Sequence, residues 1–189
     1  ELKGKIDAAA QQVLAKTGVP SASVAVVEHG VIVYTQAYGK AKLDPPVDAT
    51  PAMRYSIGSI SKQFTAAAIL LLEQQGKLSI HDPVSKYLPY LTRAKEVTIR
   101  MLLSHTSGYQ DYWPQDYVMP GMLKPVTPQG IADTWAKKPL DFEPGTRWQY
   151  SNTNFTLAGM VVEKASGMPF FQFVRTRILQ PLAMTSASD

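Results

Sequence analysis

Ser23-Val24-Ala25-Val26-Val27, then Glu28-His29-Gly30, then Val31-Ile32-Val33-Tyr34-Thr35-Gln36-Ala37-Tyr38, is the stretch that decides the fold. Both flanks are rich in β-branched and aromatic residues and His29-Gly30 is a turn signal, so the pattern predicts a β-hairpin. Val24 to Val27 form a nearly continuous apolar run, the pattern of a strand buried on both faces. Upstream, Ile6, Ala9, Ala10, Val13 and Leu14 recur at helical spacing between Leu2 and Lys16, and Gly18 supplies a stop. One helix covers one face of a hairpin only, and a lone two-stranded ribbon is marginal in water. No other convincing strand follows in the remaining roughly 150 residues. The expectation is an unfinished antiparallel sheet, completed by strands from outside this sequence.

Downstream the chain reads as helical. Lys40 to Met53, with Pro45-Pro46 and Pro51, is expected to be an irregular connection. A helix from about Ser59 to Gln75 offers Phe64, Ala67, Ala68, Leu71 and Leu72 as its buried stripe, with Gly76 behind it. Short helices follow, with Asp82 capping Pro83, Thr98 ahead of Ile99 to Leu103, and Thr127 capping Pro128 before a helix to about Lys137. Another is expected between Asn154 and Lys164, and a last one from Pro169 through Leu179. The fold class expected is α+β, an antiparallel sheet flanked by helices plus a mostly helical region. Residues 1-58 would hold the first helix and hairpin, and 59-189 the helix at Ser59 and the helical region, continued by an absent C-terminal segment.

Composition narrows the function. Of 189 residues 45% are hydrophobic and 18% charged, enough apolar side chain for a packed core. The net charge of +4 comes from lysines scattered along the chain, with no basic stripe interleaved with aromatics, so nucleic acid is not an expected partner. There are no cysteines, and His29, His81 and His105 lie far apart without an HExxH, so neither thiolate chemistry nor a metal site is expected. The longest apolar run, Ala66 to Leu72, is too short to span a bilayer. No signal peptide is visible after Glu1, which leaves the compartment open.

Three clusters could carry chemistry. Ser59 at the start of a helix with Lys62 three residues on places both on one face, so the lysine can reach the hydroxyl and serve as its general base. A surface lysine beside a capping serine has the same spacing. Tyr150-Ser151-Asn152 offers a phenol that can shuttle protons and an amide that donates and accepts, or simply a turn capped by Asn152 or Thr153 before a helix. His105-Thr106-Ser107-Gly108 offers a base and a hydroxyl, or a structural turn. Asn154-Phe155-Thr156 fits a glycosylation sequon but falls on an expected helix.

The order of these clusters adds what each lacks alone. Met53-Arg54-Tyr55-Ser56-Ile57-Gly58-Ser59-Ile60-Ser61-Lys62-Gln63-Phe64-Thr65-Ala66 resembles the Ser-x-x-Lys region of the class C β-lactamase and penicillin-binding-protein family. So do Glu73-Gln74-Gln75-Gly76-Lys77-Leu78, Tyr87-Leu88-Pro89 and Leu102-Leu103-Ser104-His105-Thr106-Ser107-Gly108. Pro144-Gly145-Thr146 ahead of Tyr150-Ser151-Asn152 resembles the family's second motif. Pro181-Leu182-Ala183-Met184 resembles a later landmark, with Ala183 where glycine is usual. The family's third motif, of Lys-Thr-Gly type on a late strand, is absent from this sequence.

The resemblance implies a serine hydrolase of the β-lactamase/transpeptidase-like fold, acting through an acyl-enzyme on an amide, β-lactam or ester carbonyl. Ser59 would be the nucleophile, Lys62 its activator, and Tyr150 the donor to the leaving group. Asn152 would hold the substrate's amide side chain, and Tyr112, Trp113 and Gln115 would line the cleft. No metal or organic cofactor is implied. The partners implied are a β-lactam, a D-alanyl-D-alanine peptide or an ester, with a missing segment or second chain completing the sheet. The location implied is periplasmic or secreted. A D-alanyl-D-alanine carboxypeptidase or esterase, a non-turnover penicillin-binding sensor, and a purely structural or assembly role through the exposed sheet edge are the alternatives.

Overall fold

The computed structural model describes residues 2–113 and 124–188, and the chain divides into two compact units, Glu1–Ser56 and Ile57–Asp189. In the first unit, helix α1 (Leu2–Thr17) precedes strands β1 (Ser21–Glu28), β2 (Val31–Lys42) and β3 (Val47–Asp48). The sheet is antiparallel in the order β1-β2-β3, with Ser21 opposite Gly39 and Glu28 opposite Val31. A bulge between Val26 and Val27 shifts the register. The expected hairpin is present, and its second strand runs four residues further than the valine-rich pattern. The connection expected to be irregular contains β3, which pairs Lys40 with Asp48; two residues are too few to leave a periodicity in the sequence.

The run Val24 to Val27 is not buried on both faces. Val24 and Val26 are half-buried, whereas Ala25 and Val27 face solvent, which is the alternation of a strand covered on one side. Within the helix expected to cover it, Ile6, Asp7, Ala10 and Leu14 are half-buried, and Ala9 and Val13 are exposed. Asp7 Oδ1 accepts from Tyr34 Oη at 2.6 Å and Tyr38 Oη at 2.7 Å, so a carboxylate ties α1 to β2. These two donors hold Asp7 below the usual carboxylate range.

In the second unit, a 3₁₀ turn (Gly58–Ser61) leads into α2 (Lys62–Gln74), so the helix expected from Ser59 begins with a tighter turn that carries the serine. Helices α3 (Ile99–Leu103), α4 (Pro128–Trp135) and α5 (Asn152–Ser166) follow. After them come α6 (Phe170–Val174) and a π turn (Arg175–Leu179). Helices α2 and α5 pack together at the centre, where Ile69, Leu72, Leu102, Leu157 and Val161 are fully buried. On α2 the buried positions are Thr65, Ala68, Ile69 and Leu72, while Phe64, Ala67 and Leu71 are only partly covered. Contacts with both α5 and α6 widen and turn the stripe beyond what a single-face pattern predicts.

Thr98 caps α3 by accepting from the Met101 N–H at 3.3 Å, and Thr127 caps α4 by accepting from the Gly130 N–H at 3.0 Å. Asp82 is not a helix cap. It accepts from the Ser79 N–H, Lys86 Nζ and Tyr87 Oη, which makes it the hub of a turn. Thr127→Ala leaves the Gly130 N–H without that acceptor and is expected to lower stability by about 1 kcal/mol, measured by chemical denaturation. A change below about 0.3 kcal/mol contradicts the cap's contribution. Among the described residues no helix is long and apolar enough to cross a membrane.

Candidate active site

Ser59 lies in the 3₁₀ turn, and Lys62 opens α2 one turn later, so local geometry alone brings them together. Lys62 Nζ is 3.1 Å from Ser59 Oγ. Ninety residues on, Tyr150 and Asn152 flank Ser151, the N-cap of α5. Their side chains reach the same point: Tyr150 Oη is 2.6 Å from Ser59 Oγ, and Lys62 Nζ donates to Asn152 Oδ1 at 2.8 Å. Tyr150 Oη also donates to Asn152 Oδ1 at 3.3 Å. Lys62 Nζ sits 4.8 Å from the Tyr150 ring centroid and 5.6 Å from that of Phe155. Ser59 is exposed and Lys62 half-buried, so the hydroxyl faces solvent while the cation is backed by aromatic rings.

Two groups hold Tyr150-Ser151-Asn152 from behind. The Ser151 N–H donates to His105 Nδ1 at 3.1 Å, and the His105 ring lies 4.6 Å from the Tyr150 ring, tilted by 32°. Accepting at Nδ1 leaves the proton of the neutral imidazole on Nε2. Asp111 takes the other end of the triplet, accepting the Asn152 N–H at 2.8 Å through Oδ1 and the Asn152 Nδ2 amide through both oxygens at 3.2 Å. Ser151 does not cap α5 with its side chain; its Oγ is buried and unpartnered, and the Asp111 carboxylate sits at the helix N-terminus instead.

Burial, reinforced by the nearby Lys62 ammonium and opposed by Asp111, holds His105 below the ordinary histidine range. Because the folded pKa is depressed, the unfolded chain takes up the proton first as pH falls. Stability is therefore full above about pH 6.5, the unfolded value, and declines as pH drops below it toward the folded value. In urea unfolding between pH 7 and 5, His105→Gln is expected to flatten this decline. An unchanged pH slope would remove His105 as its source.

His105 and Ser107 do not pair with each other. Ser107 Oγ donates to Asn154 Oδ1 at 2.6 Å and accepts from the Tyr109 N–H at 3.1 Å, so the His-Thr-Ser-Gly segment is a turn that braces α5. Asn154 is 1% exposed and its Oδ1 is taken by Ser107, so a glycan on it does not fit this fold. Tyr112 is half-buried, its N–H donating to Thr153 Oγ1, and burial pushes its phenol up. Trp113 is exposed; with Ser59, Tyr112, Trp148, Tyr150 and Asn152 it borders an open cavity of about 510 Å³. Gln115 lies outside the described residues. Among the described residues, no three or more His, Asp or Glu side chains gather as a metal site would require.

His105 is signalled by its turn motif, but as a base for Ser107, whereas it accepts from the Ser151 N–H. Asp111 is the neighbour of the site that nothing local in the sequence signals.

The family model described as Beta-lactamase matches residues 6–188. Protein flp from Staphylococcus aureus is 33% identical over 192 residues, covering 97% of this chain. Penicillin-binding protein 4* from Bacillus subtilis is 37% identical over 164 residues, covering 86% of it. The chain spans only 38% and 36% of the lengths of these two relatives. Among solved structures, D-amino acid amidase from Ochrobactrum anthropi, complexed with L-phenylalanine amide, superposes with a TM-score of 0.88 at 29% identity. That match covers 97% of this chain and 51% of the amidase, so the three-stranded sheet and its helices correspond to part of the amidase fold.

Proposed function

Because the chain belongs to the beta-lactamase family, we propose that it is a serine hydrolase acting through an acyl-enzyme on an amide, β-lactam or ester carbonyl. The observation that carries the reading is Ser59 Oγ within hydrogen-bond distance of two proton-handling groups, Tyr150 Oη at 2.6 Å and Lys62 Nζ at 3.1 Å. A nucleophile beside its base, with the base oriented by a third group, is the arrangement that acyl transfer needs. Asn152 is that third group, holding Lys62 through Oδ1 at 2.8 Å.

In this reading Lys62 Nζ accepts the Ser59 proton as Oγ bonds to the carbonyl carbon. The Ser59 N–H takes the developing oxyanion. As the bond to the leaving group breaks, Tyr150 donates its phenolic proton to it and is reprotonated from the Lys62 ammonium. Water then attacks the acyl-enzyme carbonyl with the same groups acting in reverse, restoring Ser59. The cavity bordered by Tyr112, Trp113 and Trp148 receives the substrate. The periplasmic or secreted location and the completing segment belong to this same proposal.

The test is hydrolysis of a chromogenic cephalosporin, a D-amino acid amide and a nitrophenyl ester, each compared with Ser59→Ala. At least one is expected to turn over about 10³-fold faster than with the variant. If none exceeds the Ser59→Ala rate, the hydrolase reading is wrong.

A further inference from the structure

We propose that Asp111 is a positioning residue for acyl transfer: its carboxylate fixes the Asn152 side chain so that the amide oxygen faces Lys62 and aims Nζ at Ser59. The proposal rests on the serine hydrolase reading for its consequence, but not for its geometry.

Donor and acceptor chemistry decides the orientation. A carboxylate only accepts, whereas an amide donates at one end and accepts at the other. Asn152 lies between the Asp111 carboxylate and Lys62. Its Nδ2 points at both Asp111 oxygens, 3.2 Å from each, and its Oδ1 takes Lys62 Nζ at 2.8 Å and Tyr150 Oη at 3.3 Å. Turning the amide by 180° would set Oδ1 against the two Asp111 oxygens, which have no hydrogen to give. Asp111 is therefore the group that makes the reverse orientation unfavourable, from the side away from the cleft.

The backbone adds a second restraint. Asp111 Oδ1 also holds the Asn152 N–H at 2.8 Å, so main chain and side chain of Asn152 are gripped by one carboxylate. The grip continues through the loop, since the Trp113 N–H donates to the same oxygen at 3.2 Å and the Tyr112 N–H to Thr153 Oγ1 at 3.2 Å. The chain of contacts therefore runs carboxylate, amide, lysine nitrogen, serine hydroxyl. With Asn152 Oδ1 fixed, one N–H of Lys62 is committed to it. This sets where Nζ stands relative to Ser59 Oγ, 3.1 Å away. Losing the orientation misplaces the base without removing it, and a misplacement of about 1 Å costs on the order of 10²-fold in rate.

The experiment measures acylation by a penicillin in single-turnover kinetics, which separates the dissociation constant from the acylation rate constant. Asp111→Ala is expected to lower the rate constant about 10²-fold with the dissociation constant within about twofold, and added formate is expected to restore part of the loss. Asp111→Asn keeps one acceptor oxygen for the Asn152 N–H and is expected to fall about tenfold. A general loss of fold would instead weaken binding and rate together and would not respond to formate.

Acylation by Asp111→Ala within about threefold of the parent protein overturns the proposal. The geometry is read independently from the ¹⁵N–¹H signals of the Asn152 side-chain amide, expected to shift and exchange faster in Asp111→Ala; unchanged signals also overturn it. If the parent protein forms no acyl-enzyme at all, the hydrolase reading fails, and the amide signals alone decide whether Asp111 orients Asn152.

Discussion

Lys62→Met is expected to slow acylation of Ser59 by about 10³- to 10⁴-fold while leaving the protein folded. Methionine matches the apolar stem of the lysine, which is half-buried against the Tyr150 and Phe155 rings. What disappears is the nitrogen 3.1 Å from Ser59 Oγ and 2.8 Å from Asn152 Oδ1. Tyr150 Oη still touches the serine at 2.6 Å, so a residual rate through the phenol is expected. Stopped-flow acylation by a penicillin, with circular dichroism as the control for fold, reads the effect. A fall of less than tenfold would move the role of base from Lys62 to Tyr150.

Gly108→Ala is expected to be the most damaging small substitution in the turn that braces the site, costing about 3 kcal/mol or more. Gly108 has φ +86°, a region that a side chain disfavours, and a Cβ there would lie 2.4 Å from Phe142 O and 3.2 Å from Leu140 Cβ. The opposing backbone cannot easily retreat, because the Asp141 N–H donates to Gly108 O at 2.9 Å. Gly76, with φ +68° and nothing within 4 Å of where a Cβ would stand, isolates the conformational part of the cost. Gly76→Ala is expected to cost only about 1 kcal/mol. Chemical denaturation of both variants checks this, and equal losses would show that the approach of Phe142 contributes nothing.

The two halves of the site are legible in the sequence to different degrees. Ser59 and Lys62 are three residues apart at a helix start, and periodicity alone puts them on one face. The Thr98 and Thr127 caps are equally readable, since a cap acts within four residues of itself. The meeting of Ser59 with Tyr150 is not readable from spacing. It joins residues 91 apart, and only the ordered family motifs point to it. Asp111 escapes altogether: its contacts with Asn152 span 41 residues, and a lone acidic residue in a loop carries no pattern.

The differences between expected and observed elements have a common physical cause. Side-chain type along one strand or helix predicts burial, whereas exposure depends on what covers it. Val27 is apolar yet 60% exposed, because α1 covers only the other face of β1 in this unit. Thr65 is polar yet 7% exposed, because α2 is packed by both α5 and α6. Asp82 has the right residue type and place for a cap, but Lys86 and Tyr87 fold back to claim its carboxylate. Neighbours far along the chain decide such cases.

The most direct test of Ser59 as the nucleophile is the intact mass of the protein before and after exposure to a penicillin, followed by peptide mapping of any adduct. One equivalent of penicilloyl mass is expected on the peptide that contains Ser59, and none on Ser59→Ala. An adduct on another residue, or none while a second acyl donor such as a nitrophenyl ester also leaves Ser59 unmodified, would contradict that role.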